Sequence, residues 1–234
     1  MQSIEGNYLE SAHRRNLLKS RYADHAGLLP GISFKNILGS SFLYQSLLAF
    51  PSLQLLIFLL LTDIMTTGVK LRQWRREDAA QLAAIANNKK IWLNVRDRFP
   101  HPYTIADALQ WIAFCNTQNP LQNFAIEIDH QIAGSIGIIT KEDVYRRSIE
   151  IGYFIGELFW SRGIATKAVG LLMNHIIKEH DPIRVWAEVF EHNTASMRVL
   201  EKNGFILESI RKKSVFKNNL VLNDHVWVRL TGEN

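Results

Sequence analysis

The stretch from Ile149 to Lys167, IEIGYFIGELFWSRGIATK, most strongly limits what this 234-residue chain can fold into. Its first part, Ile149 to Ile155, is apolar and β-branched apart from Glu150 and Gly152, which is typical of a buried strand. Apolar residues then recur at helical spacing, at Ala165, Ala168, Val169, Leu172 and Ile176. The pattern predicts a buried strand that passes through a glycine-containing turn into an amphipathic helix.

The turn itself has the composition of a phosphate-binding segment. The first amides of a helix have no partner within the helix, and small side chains let a ligand approach the main chain. Such a helix end contributes only ~0.3 to 2 kcal/mol, so a tight ligand needs further contacts. A pyrophosphate could approach the main chain at Arg162, Gly163, Ile164, Ala165 and Thr166, and plain turn chemistry is the alternative for this segment. Arg162 and Lys167 are candidate cations for the phosphates, with solvated side chains as the alternative.

Two motifs in this half of the chain resemble those of the GNAT superfamily of N-acetyltransferases. Trp160-Ser161-Arg162-Gly163-Ile164-Ala165 resembles its pyrophosphate loop, Gln/Arg-x-x-Gly-x-Gly/Ala, with tryptophan at the first position. Asn193 and Ser196, followed by Glu201-Lys202-Asn203-Gly204-Phe205, resemble the motifs of the branch that contains the ribosomal-protein N-terminal acetyltransferases. The resemblance covers roughly Val69 to Leu230 and does not extend to residues 1 to 64.

The resemblance implies an α/β fold with a twisted, mixed sheet of about seven strands flanked by helices. Its fourth and fifth strands would splay apart to admit the pantetheine arm of acetyl-CoA, the implied cosubstrate. The residue pattern predicts strands at Val69–Trp74, Phe124–Ile128, Gln131–Ile139, Ile149–Ile155, Ile183–Val189, Phe205–Arg211 and Asp224–Leu230. It predicts helices over Glu77–Asn88, over Thr104–Thr117 with Ile105, Leu109 and Ile112 on one face, from Ala165, and over Thr194–Asn203.

Acetyl transfer to an amine requires a group that removes a proton and donors that stabilise the oxyanion. Glu150 is a lone carboxylate in the predicted central strand and faces opposite to its apolar neighbours. The resemblance implies that Glu150 is the general base; a surface glutamate is the alternative for this residue, and Glu188 is the alternative base. The oxyanion donor would be a backbone N–H near Phe154 or Ile155.

The proton donor to the leaving thiolate is harder to assign. Many GNAT enzymes use a tyrosine seven residues after the asparagine that matches Asn193, and this chain has Leu200 there. Ser196 matches a serine that could hydrogen-bond the sulfur of the coenzyme, although it also suits an ordinary first helical turn. Asn193 fits either a ligand of pantetheine or a helix N-cap.

The acceptor implied by the resemblance is a primary amine, and we expect the α-amine of a protein or peptide. At pH 7 an α-amine of pKa ~7.8 is about one-seventh unprotonated, whereas a lysine-like amine of pKa ~10.4 is about one part in 2,500 unprotonated. Small amines (polyamines, amino acids or aminoglycosides) remain alternatives, as does a non-catalytic acyl-CoA-binding module. We expect the acceptor-lining loops at Asn94–Tyr103 and Val215–Asn223.

Composition and residue spacing limit the remaining functional classes. The net charge of +5 suits an anionic coenzyme, but the only tight basic run, Arg211-Lys212-Lys213, is more typical of a solvated strand end than of a nucleic-acid site. The single cysteine, Cys115, lies in an apolar helical stretch and is expected in the core. The histidines lack metal-ligand spacing. We expect no metal, no nucleic acid, a cytoplasmic location, and a monomer or homodimer.

Residues 1 to 64 differ in character from the rest. Phe42 to Leu61 is twenty residues without a formal charge, long enough to span a bilayer, and five basic residues precede it. The positive-inside bias would leave residues 65 to 234 outside, away from cytoplasmic acetyl-CoA. We therefore expect a non-native or wrongly assigned extension, with Met65 as the natural start of a self-sufficient acetyltransferase domain. The alternatives are a hydrophobic helix on the domain or membrane surface, and a true span.

Overall fold

A computed structural model of the protein describes residues 68 to 232. The segment Phe42–Leu61 and the boundary at Met65 lie outside this range, so the interpretation of residues 1 to 64 stays a prediction. No helix within residues 68 to 232 is both long enough and apolar enough to cross a membrane.

Within residues 68 to 232, seven strands form one mixed sheet, as predicted. The strands lie in the order β1-β2-β3-β4-β5-β7-β6, and only β4 and β5 pair in parallel. Their bounds are β1 Lys70–Arg72, β2 Asn123–Ile128, β3 Gln131–Thr140, β4 Ser148–Ile155, β5 Arg184–Phe190, β6 Ile206–Lys217 and β7 Leu220–Leu230.

Five α-helices lie between these strands in the described range. They are α1 Ala79–Ala86, α2 Lys89–Trp92, α3 Ile105–Asn116, α4 Ile164–His180 and α5 Thr194–Lys202, with short 3-10 turns at Arg76–Asp78, Asp143–Tyr145 and Glu157–Phe159. Helix α3 begins with a capping box between Thr104 and Asp107, which satisfies amides at the helix start. The sequence prediction missed α2, whose N-cap is the Asn88 side chain.

Helices cover the sheet on both sides. Ile164, Leu172 and Ile176 of α4 are fully buried in one apolar cluster with residues of β3 and β4. Helices α1 and α3 form a second cluster with Ala125 and Ile132, in which Cys115 is buried as expected. Ile105, predicted on the apolar face of α3, is 55% exposed because the helix turns Ala108, Ile112 and Cys115 inward instead.

Strands β4 and β5 diverge after a short paired segment, which confirms the predicted splay. Their pairing is limited to Ser148 with Arg184, Ile149 with Val185, and Glu150 with Trp186. Beyond Glu150 the two strands run on to Ile155 and Phe190 without pairing. Because successive amides of a strand point to alternate edges, every second amide of this part of β4 faces the gap.

The segment Val215–Asn223 is not the loop that the sequence predicted. It is the tip of a long hairpin in which Lys217 pairs with Leu220. The intervening Asn218 and Asn219 both have positive φ, 50° and 61°, as a tight two-residue hairpin turn requires. Two adjacent asparagines, between Lys217 and Leu220, were the sequence signal for this turn.

Candidate active site

One cavity of about 600 Å³ lies where β4 ends and α4 begins, and α5 forms its other wall. It contains most of the residues that the sequence singled out for the cofactor. Lining it are Phe154, Ile155, Gly163, Ile164, Ala165, Thr166 and Asn193. Residues of two separate motifs therefore meet at one place, and an elongated ligand could contact both.

The start of α4 presents unpaired backbone donors to this cavity. Gly163 precedes the helix with φ 74° and ψ 0°, a left-handed conformation that strongly favours glycine. The amides of Ile164, Ala165 and Thr166 have no acceptor within residues 68 to 232, and the first intrahelical bond is from Lys167 to Gly163. Three amides at the positive end of a 17-residue helix form a suitable site for an anion.

The predicted cations do not line the cavity. The Arg162 guanidinium lies 5.6 Å from the ring centroid of Phe159, and Lys167 is exposed on the helix. The cations that do line it are Lys90, Arg198 and Lys202, from α2 and α5.

Trp160 stands where the family loop has glutamine or arginine, and it has a structural role of its own. Its indole N–H donates to the Ile155 carbonyl at 2.7 Å, which closes the turn after β4. The ring also lines the first cavity of about 600 Å³, hereafter called the cofactor cavity after its predicted ligand. The tryptophan at this motif position is therefore tied to the main chain of the turn.

A second cavity of about 900 Å³, hereafter called the acceptor cavity after its predicted ligand, lies on the α3 side of the gap. The segment Asn94–Tyr103, hereafter the acceptor loop, contributes much of its wall through Arg96, Arg98 and Phe99. The two cavities share a boundary formed by Asn94, Val95, Tyr153, Phe154, Asn193 and Ser196. A group held in one cavity could therefore reach a group held in the other.

Glu150 lies in the second cavity and is only 7% exposed. Its Oε1 accepts from Arg96 Nη2 at 2.5 Å, and its Oε2 accepts from Lys141 Nζ at 3.0 Å. Two cations thus compensate for the burial of this carboxylate. The structure places Glu150 opposite to Ile149 and Ile151, as predicted, but inside a cavity and not on an open surface.

Glu188, the alternative base, lies in the same cavity across the gap. Its Oε2 accepts from the same Arg96 Nη2 at 3.0 Å, and Arg211 holds its other oxygen. Burial alone would lower the pKa of the Arg96 guanidinium, but Glu150 and Glu188 outweigh that effect and raise it. Arg96 therefore bridges the two candidate bases.

Asp224 adds a third carboxyl group behind Glu188. It is 4% exposed, and its Oδ1 has no partner within the described residues. Burial, together with the negative charge of Glu188, raises the pKa of Asp224. The sequence offered no sign of this residue, because it comes from β7 and is brought near Glu188 only when β5 and β7 pair, with Asp224 opposite Phe190.

Asn193 and Ser196 lie where the two cavities meet. The Asn193 side chain caps α5, with Oδ1 accepting from the Ser196 amide at 3.1 Å. This contact confirms the N-cap interpretation, and it leaves the Nδ2 donor available to a ligand. The Ser196 hydroxyl lies 2.8 Å from the Tyr153 hydroxyl.

Tyr153 is a phenol that the sequence prediction did not assign to the site. Burial raises the pKa of Tyr153 to about 12, although the hydrogen bond with Ser196 acts in the opposite direction. The phenol is therefore protonated at neutral pH and can donate. Leu200, at the position of the usual tyrosine, is fully buried in the core. The only sequence feature that could have identified Tyr153 was its position on the same predicted strand as Glu150.

A glycine turn into a helix, beside a gap between two parallel strands, is the arrangement that the resemblance leads us to expect of an acyl-CoA-dependent acetyltransferase domain. The chain belongs to the GNAT family: the model for the acetyltransferase (GNAT) domain matches residues 69–206, more than half of the 234-residue chain. The family and the fold predicted from the two motifs are thus confirmed.

Named relatives support the same family. A probable N-acetyltransferase of Bacillus subtilis, YjcK, is 39% identical over 93 residues, which cover 38% of this chain and 51% of that protein. The spermidine N(1)-acetyltransferase of Escherichia coli is 25% identical over 152 residues, or 64% of this chain and 80% of that protein. The chain thus spans only about half the length of the first of these relatives.

Solved structures share the fold. RimL, a ribosomal L7/L12 alpha-N-protein acetyltransferase in complex with coenzyme A, aligns with a TM-score of 0.63 at 20% identity over 71% of this chain and 96% of that chain. The self-immunity acetyltransferase MccE in complex with acetyl-CoA and AMP aligns at 0.62 and 21% identity, over 71% and 94%. At such identities the similarity shows only the fold. The cosubstrate of the GNAT family, to which the chain belongs, is acetyl-CoA.

Proposed function

We propose that the protein transfers the acetyl group of acetyl-CoA to the α-amine of a protein or peptide, with Glu150 as the general base. The observation that carries this proposal is the junction of two cavities at Tyr153, Phe154 and Ser196. The thioester enters from the side with free helix amides, and the amine enters from the side that contains Glu150. The same proposal assigns the activity to residues 65 to 234 and to the cytoplasm, where acetyl-CoA is available.

The chemistry can be assigned to groups at this junction. The amine nitrogen loses a proton to Glu150, directly or through a water, and its lone pair attacks the thioester carbon. A β4 amide that faces the gap, near Phe154 or Ile155, stabilises the oxyanion. The C–S bond then breaks, and the sulfur takes a proton from the Ser196 hydroxyl, which Tyr153 can replenish.

The choice of an α-amine rests on basicity. A single carboxylate as base suits an amine that is already partly unprotonated at neutral pH, and an α-amine of pKa ~7.8 meets that condition better than a side-chain amine near ~10.4. A ribosomal-protein-serine acetyltransferase of Escherichia coli, 28% identical over 97 residues that cover 41% of this chain and 54% of that protein, is consistent with this acceptor.

A polyamine is the second candidate. The acceptor cavity is lined by Asp107 and Glu188 in addition to Glu150, and separate carboxylates could bind the remaining ammonium groups of a polyamine. The likeness to spermidine N(1)-acetyltransferase points the same way. A non-catalytic acyl-CoA-binding module is the third candidate.

A screen of coenzyme A release by the full-length protein distinguishes these candidates. We expect kcat/KM to be highest for short peptides with a free α-amine, compared with spermidine, free amino acids and aminoglycosides. The same peptides with a blocked α-amine serve as the matched control and should give no release. Preference for spermidine would favour the second candidate. Acetyl-CoA binding without release to any acceptor would favour the third.

Removing the hydroxyl of Ser196 is expected to reduce kcat only modestly, because a water or Tyr153 can protonate the sulfur in its place. Ser196→Ala combined with Tyr153→Phe removes the hydroxyl groups of both side chains and should lower kcat by ~10-fold or more. Ser209→Ala, exposed on β6, is the control. A double variant with parental kcat would contradict this assignment.

A further inference from the structure

Lys217 is the only buried residue of β6. The other residues of this strand are exposed, apart from the half-buried Val215, whereas Lys217 is 3% exposed. A lysine is almost never fully buried unless its ammonium group has a partner. The position is unexpected because Lys217 lies at the hairpin tip, directly before the turn at Asn218 and Asn219.

The ammonium group of Lys217 has two partners, and both flank or belong to the acceptor loop. Its Nζ donates to Asp97 Oδ1 at 2.6 Å and lies 3.7 Å from the ring centroid of Trp92. A cation–π contact and an ion pair together compensate for the loss of hydration. The Asp97 side chain is 70% exposed, so the hairpin tip holds a loop residue that has little packing of its own.

Asp97 is adjacent to Arg96, which bridges Glu150 and Glu188. The base of the loop is fixed separately, since Trp92 stacks on His101 with ring centroids 5.8 Å apart. Phe99 lies against Phe154 of β4, with centroids 5.5 Å apart. In addition to these contacts, the loop is tied to the hairpin tip by the ion pair of Asp97 with Lys217, one residue from the guanidinium that contacts the candidate bases.

We propose that Lys217 is a positioning residue for the acceptor. By holding Asp97 it fixes the adjacent Arg96 between Glu150 and Glu188, and so it sets the shape and charge of the acceptor cavity from outside that cavity. The inference rests on the proposed function, in which this cavity binds the amine.

Lys217→Met removes the tether, and Asp97→Asn removes its ionic part at an exposed residue. In the full-length protein we expect either change to raise the KM of the acceptor at least ~fivefold, with a smaller effect on kcat and unchanged acetyl-CoA affinity. The KM of the double variant should be no higher than the higher KM of the two single variants, because both substitutions act on the same contact. The acceptor is a short seryl peptide amide or spermidine, whichever the parent acetylates.

Lys217→Arg keeps a cation above Trp92 and should leave the KM of the acceptor close to that of the parent. If Lys217 only filled volume, Lys217→Arg and Lys217→Met would have similar effects on KM. Lys212→Met, an exposed change on the same strand, is the control. An unchanged KM in Asp97→Asn, or fully additive effects in the double variant, would overturn the proposal.

Amide hydrogen exchange gives a readout that does not depend on turnover. Both Lys217→Met and Asp97→Asn should accelerate exchange in residues 94 to 103, relative to the parent and to Lys212→Met. Unchanged exchange in both variants would overturn the tether itself. A parent that acetylates neither amine, with accelerated exchange in the variants, would refute the proposed acceptors and leave the tether supported.

Discussion

Replacing Glu150 with glutamine is expected to lower turnover by ~10²-fold or more while leaving acetyl-CoA affinity nearly unchanged. Glutamine keeps the shape and one of the two acceptor oxygens of the side chain, but it cannot take a proton. Glu150 lies in the acceptor cavity and does not line the cofactor cavity, which is why binding of the cosubstrate should survive. The measurement is a pH–rate profile with a saturating amine acceptor.

The pH dependence gives this test its direction. As pH rises through the pKa of an α-amine, ~7.8, the acceptor loses its proton to solvent. The defect of Glu150→Gln should therefore shrink at high pH. Glu208→Gln, an exposed carboxylate paired with Arg184 away from both cavities, is the matched control. Near-parental turnover of Glu150→Gln at neutral pH would exclude this base and make Glu188 the first alternative.

Replacing Gly163 with glutamate is expected to weaken acetyl-CoA binding at least tenfold, or ~1.4 kcal/mol. The side chain would place a carboxylate beside the free amides of Ile164, Ala165 and Thr166, where the diphosphate is proposed to bind. It would compete for the same donors and repel the ligand. Calorimetric titration of the folded variant with acetyl-CoA measures the effect.

Gly163→Gln separates charge from strain. Because Gly163 has φ 74°, any side chain there costs of order 1 to 3 kcal/mol of backbone strain. Glutamine has the same strain and nearly the same size as glutamate, so the difference between the two variants reports the negative charge alone. Affinity that falls equally in both variants would point to loop distortion, and parental affinity in Gly163→Glu would refute the site.

Local patterns predicted the elements that depend on neighbours in sequence. The apolar run of β4, the glycine turn and the spacing of α4 lie within one continuous stretch, so periodicity was enough to find them. The segment that forms the hairpin tip was misread as a loop, because strands β6 and β7 are recognised by pairing across Asn218-Asn219 and not by alternation alone.

From the sequence alone, two short motifs identified the family by resemblance, and that resemblance implied the mixed sheet. Apolar spacing and a glycine predicted the turn into α4, because both are local signals. Only the tertiary structure decided the partners of Glu150: Arg96 comes from the acceptor loop and Lys141 follows β3. It also decided the contact of Tyr153 with Ser196 and the tether from Lys217 to Asp97. These contacts join residues far apart in the chain, and their chemistry is set by burial and distance, which one-dimensional spacing does not encode.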